Sequence, residues 1–245
     1  MNKNNYCNKY VFIIPNNCFL EKIITTSFMS FFLKGRMSPI RIPKSHSGSF
    51  TGKFPSQKMN RMIHYESSIE KDFIHLLEFE ESVTWYEEQP LRIEYMENKK
   101  KHYYIPDFSA VVDGKTWIFE CKPKKLVGVQ KNLIKFEEAE KYCLNTGENF
   151  RVVTDEEIRT GYKLRNIKFL TGYSRGEINP VLVSRILSFF GNTDNACLHD
   201  FEKSEKNFSP KEIYPTIFFL IYHHKLSFQV DEELLSKKTV AHLVI

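Results

Sequence analysis

Three side chains in one short stretch have types that could share a reaction. They are Asp107 in Tyr104-Ile-Pro-Asp-Phe108, and Glu120 and Lys122 in Trp117-Ile-Phe-Glu-Cys-Lys-Pro123. Paired carboxylates offer oxygen ligands to a hard divalent cation. An ammonium beside them can orient or activate an attacking water, or offset charge building on a phosphate. That combination suits metal-assisted hydrolysis of a phosphodiester. The bland alternative is a solvated hairpin face carrying Asp, Glu and Lys, which requires no partner elsewhere in the chain.

Positioning falls first to a turn. Val112-Asp-Gly-Lys115 sets Asp-Gly between apolar runs, a strong short-range hairpin signal. Side chains alternate along a strand, so Glu120 and Lys122 share one face while Phe119 and Cys121 take the other. Pairing through the hairpin brings Asp107 within reach of the Glu120/Lys122 face. Upstream, Ser67 and Glu70 have the capping-box spacing, and Ile69, Phe73, Leu76, Leu77 and Phe79 follow at near-helical intervals. Glu70 therefore has an ordinary task as a cap residue, or a second one as a helix carboxylate directed at the hairpin. Local sequence favours the cap.

Leu91, Ile93 and Tyr95 alternate as a strand, and Glu97-Asn-Lys-Lys-Lys101 reads as a solvated turn before the next strand at His102. Beyond Pro123, Leu133, Phe136, Ala139, Tyr142 and Cys143 predict a helix over about 129–144, closed at Asn145-Thr-Gly147. Phe150-Arg-Val-Val153 is a buried strand, and Thr154-Asp-Glu-Glu157 opens another helix. The fold class this predicts is α/β, with a mixed sheet covered by helices on both faces.

The flanks read differently. Residues 1–36 form an N-terminal extension rich in Asn, Lys, Ile and Phe; Glu21 and Lys22 interrupt it, and no signal-peptide cleavage site follows. Its apolar run is too short to span a bilayer, and Met37 is a candidate true start. Residues 37–62 read as an extended basic arm without a core of its own, either tracking phosphates or serving as a solvated lead-in. From 166 to 245, helices at Val181–Phe190 and from Pro210 to Ile221, then a short strand pair, suggest a smaller helical, winged-helix-like domain. His223 and His224 are adjacent and read as helix-end residues rather than metal ligands.

Composition narrows the classes. The 245 residues carry a formal charge of +5 and are 42% hydrophobic, a folded and mildly basic protein compatible with a polyanionic partner. Five cysteines without a Cys-x-x-Cys pair argue against a zinc ribbon or disulfide framework and for a reducing cytoplasm. No P-loop, His-Glu-x-x-His or Gly-x-Ser-x-Gly pattern is present.

The run from Glu66 to Pro123 resembles the amino-terminal domain of TnsA, the endonuclease subunit of heteromeric TnsA/TnsB-type transposases. Glu66-Ser-Ser-Ile-Glu70, Leu76-Leu-Glu-Phe-Glu80, Val83, Tyr86-Glu-Glu-Gln-Pro90, Ile93-Glu-Tyr95, Tyr104-Ile-Pro-Asp-Phe108 and Glu120-Cys-Lys-Pro123 carry the likeness through their order and spacing. It implies a restriction-endonuclease-like fold with a PD-(D/E)xK site over residues 63–165. Carried over by motif, the helix carboxylate is Glu70, with Glu66 as fallback. The Pro-Asp carboxylate is Asp107, and the E-x-K pair is Glu120 and Lys122. Some TnsA proteins place glutamine where this chain has Glu120, which is nearer the general nuclease pattern.

The resemblance further implies Mg²⁺, with Mn²⁺ as a substitute, held by Glu70, Asp107 and Glu120 and activating water. It implies double-stranded DNA at transposon ends as substrate, cut at the 5′ strands. A TnsB-like integrase-fold subunit would cut the 3′ strands, and a TnsC-like AAA+ regulator would be a further partner. Two other readings stay open: a stand-alone restriction, repair or junction-resolving nuclease using the same residues, and a non-catalytic DNA-binding assembly subunit.

Overall fold

The computed structural model describes residues 50–244, so the readings placed on 1–49 lie outside the described residues. Two strands, β1 (Gly52–Ser56) and β2 (Arg61–Tyr65), pair as an antiparallel hairpin. Helix α1 (Ser68–Phe79) follows, capped by the Ser67 hydroxyl accepting from the Glu70 N–H. Next come β3 (Val83–Glu88), a separate hairpin of β4 (Ile93–Glu97) and β5 (Lys100–Tyr104), then β6 (Phe108–Val112) and β7 (Lys115–Lys122). Short α2 (Lys124–Val127) and long α3 (Gln130–Thr146) lead to β8 (Asn149–Thr154).

The central sheet has the order β3-β6-β7-β8, with β3, β6 and β7 antiparallel and β8 parallel to β7. It is therefore mixed, as the sequence predicts. The Asp-Gly turn closes β6 onto β7, with Asp113 and Gly114 both at positive φ, the conformation a two-residue hairpin turn requires. At the far end of α3, Gly147 takes φ +76° and the Glu148 N–H returns to the Cys143 carbonyl at 3.0 Å. A glycine adopts that left-handed stop without a Cβ penalty.

One face of the sheet rests on α1. Phe73 meets Phe108 and Phe119 edge-on at 5.8 and 5.1 Å, within a core that includes Ile69, Leu77, Tyr86, Cys121 and Val153. On the opposite side, the β4–β5 hairpin and α3 enclose Ile93, Tyr95, Tyr104 and Ala139.

Residues 52–62 depart from the expected coreless arm: they form β1 and the start of β2, with Phe54 and Ser56 buried. Their polar groups face inward, onto partners about twenty residues away. Glu78 accepts from Ser56 Oγ at 2.7 Å, from the Gln57 and Lys58 N–H groups at 2.7 and 3.0 Å, and from Tyr86 Oη at 2.7 Å. Lys58 Nζ donates to the Leu77 and Glu80 carbonyls at the end of α1. Burial pulls that ammonium down to about 8, against the opposing charges of Glu78 and Glu80. Arg61 forks onto Glu88 at 2.9 and 2.7 Å. Basic composition here reflects internal ion pairing as well as surface charge.

After β8 the chain is mainly helical: α4 (Asp155–Arg159), α5 (Lys163–Thr171), α6 (Pro180–Asn192), α7 (Leu198–Ser204) and α8 (Pro210–Tyr222), then β9 (Leu226–Ser227) paired antiparallel with β10 (His242–Leu243). The boundary read at 165/166 falls inside α5. Helix α7 escaped the sequence reading because Cys197, an uncommon cap, stands at its start; the Asp200 carboxylate accepts the Cys197 N–H there at 3.0 Å. The second core gathers Ile167, Leu170, Leu182, Ile186, Leu198, Phe201, Ile213 and Ile217, and Phe79 of α1 belongs to it. His223 and His224 do sit at the end of α8, where their ring nitrogens reach the Ser174 and Phe79 carbonyls at 3.0 and 2.7 Å. Among the described residues, no helix is long and apolar enough to cross a membrane.

His75 joins the two cores and makes stability depend on pH. Its ring lies edge-on to Phe54 at 5.0 Å, and Nδ1 is 3.3 Å from Thr171 Oγ1 on α5. Because Thr171 Oγ1 itself donates to the Ile167 carbonyl, Nδ1 is assigned the proton. Burial, then the charges of Lys168 and Lys71, depress His75 from 6.5 to about 4. With the folded value below the unfolded one, its stability contribution is full above pH 6.5 and is lost as pH falls toward 4. Urea titrations are expected to show wild type losing about 2–3 kcal/mol more than His75→Gln across that window. Parallel pH dependences for the two proteins would contradict this.

Candidate functional site

The β6–β7 register pairs Phe108 with Phe119 and Ser109 with Ile118. Continued by one residue, it sets Asp107 opposite Glu120, and opposed residues of an antiparallel pair project from the same face. Asp107 is fixed twice. Its Oδ2 accepts the Cys121 N–H at 2.7 Å, and its carbonyl accepts the Gln89 N–H at 2.8 Å. Gln89 holds φ +47° to make that contact and is buried. A non-glycine residue in this region carries strain of about 1 kcal/mol or more.

Glu120 is buried, 3% exposed, and both of its oxygens are engaged. Oε1 pairs with Lys122 Nζ at 2.6 Å and Oε2 accepts from Tyr104 Oη at 3.0 Å. Burial opposes the Lys122 charge, but Glu120 and then Asp107 hold the ammonium above its usual value. The Tyr104 hydroxyl is driven well above the ordinary phenol range by burial and by the same two carboxylates. Lys122, at the end of β7, stays partly accessible.

Glu70 stands in the first turn of α1, one turn before Phe73, whose wedge against β6 and β7 seats that end of the helix. Its Oε2 accepts the Glu66 N–H at 2.6 Å, so the expected capping function is present, reaching one residue beyond Ser67. Burial raises its carboxyl, and the charges of Glu66 and Glu120 add to this. Asp107 is raised well above the ordinary value by burial, then by Glu120 and Glu70, with Lys122 opposing. The structure thus gathers Glu70, Asp107, Glu120 and Lys122 into one electrostatic neighbourhood, and Glu66 lies at its margin.

Among the described residues, no three His, Cys, Asp or Glu side chains form a ready-made metal cage. Mg²⁺ commonly takes only one or two protein carboxylates, with waters and substrate phosphates completing its shell. The donor set fits that pattern: hard oxygen ligands, Glu120 buried and Asp107 and Glu70 half-buried, where burial first and then the neighbouring carboxylate charges raise Asp107 and Glu70. A divalent cation would relieve that repulsion.

Two contributors were missed in the sequence. Tyr104 reads in Tyr-Ile-Pro-Asp as one more strand residue, yet its hydroxyl supports Glu120. Lys135 of α3 lies with Nζ 5.5 Å from the Tyr104 ring centroid, and nothing in the periodicity of α3 distinguishes it from a solvated lysine.

No match to a curated protein was found. A family model described as TnsA-like endonuclease N terminal matches residues 80–155, from the end of α1 through β8 into α4. Asp107, Glu120 and Lys122 fall inside that stretch, and Glu70 precedes it. Residues 80–155 are thus similar to a TnsA-like endonuclease N-terminal domain, a likeness that points to hydrolysis of phosphodiester bonds in DNA.

Proposed function

We propose that this protein is a metal-dependent DNA endonuclease subunit of a heteromeric transposase, cutting the 5′ strands at transposon ends. The observation that supports this best is Asp107 opposed to Glu120 with Lys122 alongside, within a stretch matching the TnsA-like endonuclease family. Asp107 and Glu120 would hold Mg²⁺, or Mn²⁺ in its place, and Glu70 would complete the site. The cation, when bound, would lower the pKa of attacking water and polarise the phosphate.

The chain's own groups do the rest. The Cys121 N–H fixes the Asp107 carboxylate, and Tyr104 fixes one Glu120 oxygen, so both point into the site at no further ordering cost. Lys122 orients the water or offsets charge on the phosphorus oxygens as the bond to the leaving oxygen lengthens. A TnsB-like integrase-fold subunit acting on the 3′ strands, and a TnsC-like AAA+ regulator, complete this reading, which places the reaction in the cytoplasm.

The test is cleavage of supercoiled plasmid carrying the element's ends, with Mg²⁺, using wild type and Lys122→Ala, each with and without the neighbouring integrase-like protein. End-specific cutting that needs both Lys122 and the partner is expected. Partner-independent cutting would instead support a restriction or repair nuclease. DNA binding without cutting in any mixture would leave an assembly subunit.

A further inference from the structure

Lys135 is a second cation at the site and is otherwise uncommitted. Among the described residues, it makes no ion pair within 4.0 Å. Glu138, the acid three residues on along α3, is taken by Lys141 at 2.7 Å. Both oxygens of Glu120 are taken by Lys122 and Tyr104. Lys135 instead lies over the ring of Tyr104, the residue whose hydroxyl supports Glu120. Burial lowers its ammonium, and Glu120 is the strongest opposing charge, with Asp107 contributing further. Lys135 is not among the side chains α3 buries in the core, which are Phe136, Ala139 and Cys143. Exposed Lys131 sits one turn earlier on the same side of the helix.

We infer that Lys135 is a substrate-binding residue that contacts a backbone phosphate of the DNA strand lying across Asp107 and Glu120, on the side opposite α1. This rests on the nuclease reading above. A half-buried lysine on an aromatic ring, beside Glu120 whose two oxygens are already engaged, is a cation held ready for a further anion. A phosphate diester supplies one. Lys122 and Lys135 would then flank the strand from β7 and α3.

The experiment is fluorescence anisotropy of full-length protein on a labelled DNA duplex, with Ca²⁺ replacing Mg²⁺, at salt concentrations from about 50 to 200 mM. Loss of one phosphate contact reduces the log–log salt slope by about 1. Lys135→Met is expected to show that reduction with weaker binding to every sequence tested. Lys135→Arg should keep the wild-type slope, and Lys141→Met, which removes a charge elsewhere on α3, should leave it unchanged. Lys135→Gln makes the same measurement with a polar side chain should the Met variant fold poorly. A purely structural role over Tyr104 would shift melting without moving the slope, and unchanged slopes for both Met and Gln variants would overturn the inference alone. Wild-type protein that binds no DNA would overturn the nuclease reading and this inference together.

Discussion

Asp107→Asn is expected to lose at least ~10³-fold in cleavage rate while melting no lower than wild type. The rate loss follows from removing one of two opposed carboxylates that would hold the cation, an interaction of several kcal/mol in the transition state. The preserved stability follows from the electrostatics. Burial, Glu120 and Glu70 raise the Asp107 carboxyl above its unfolded value of 3.8. The folded chain therefore keeps that proton to higher pH than the unfolded chain, so ionised Asp107 lowers stability once pH exceeds about 4. Asparagine removes the charge and still presents an oxygen to the Cys121 N–H. Loss of activity with an equal or higher melting temperature marks a carboxylate retained for chemistry. A variant that melts well below wild type would show instead that Asp107 serves the fold.

Glu78→Ala should have the opposite signature, a large stability loss from a residue outside the site. Four donors converge on its carboxylate: two hydroxyls, from Ser56 and Tyr86, and two backbone N–H groups, from Gln57 and Lys58. Glu78 and Ser56 are buried and Tyr86 is fully enclosed, so truncation leaves several polar groups without partners or water. The expected cost is about 3–5 kcal/mol, a large share of a typical domain's stability. Amide exchange should rise first in β1 and β2, which Glu78 ties to α1. A loss below about 1 kcal/mol, or exchange that stays slow at residues 52–65, would contradict this account. Glu78 and Glu70 lie on the same helix, so comparing Glu78→Ala with Glu70→Gln separates holding α1 in place from what its first turn does.

The contrast between these residues shows what sequence alone could reveal. Asp107 opposite Glu120 was legible because a two-residue Asp-Gly turn fixes register, and register then fixes which side chains share a face. The stop at Gly147 and the Ser67 cap were legible for the same reason: each is decided within a few residues. Glu78, Lys58 and Arg61 were not, because their partners lie about twenty or more residues away and no periodicity marks such a pairing. The basic stretch around them consequently read as an arm. Tyr104 and Lys135 became site residues only once the β4–β5 hairpin packed on α3, a contact between segments whose local patterns are ordinary.

Helix α1 gives the molecule a property that bears on how it can be handled in pieces. Phe73 belongs to the sheet core and Phe79, less than two turns later, to the helical core. A recombinant fragment ending at 165 would cut α5 after its third residue and strip Ile167, Leu170 and Tyr222 from around Phe79. The complementary fragment would leave those same side chains facing water. The sheet core ends at Leu164, but Phe79 and Leu76 of α1 pack into the helical core, so truncations made to isolate the nuclease are expected to expose that seam and trade solubility for size.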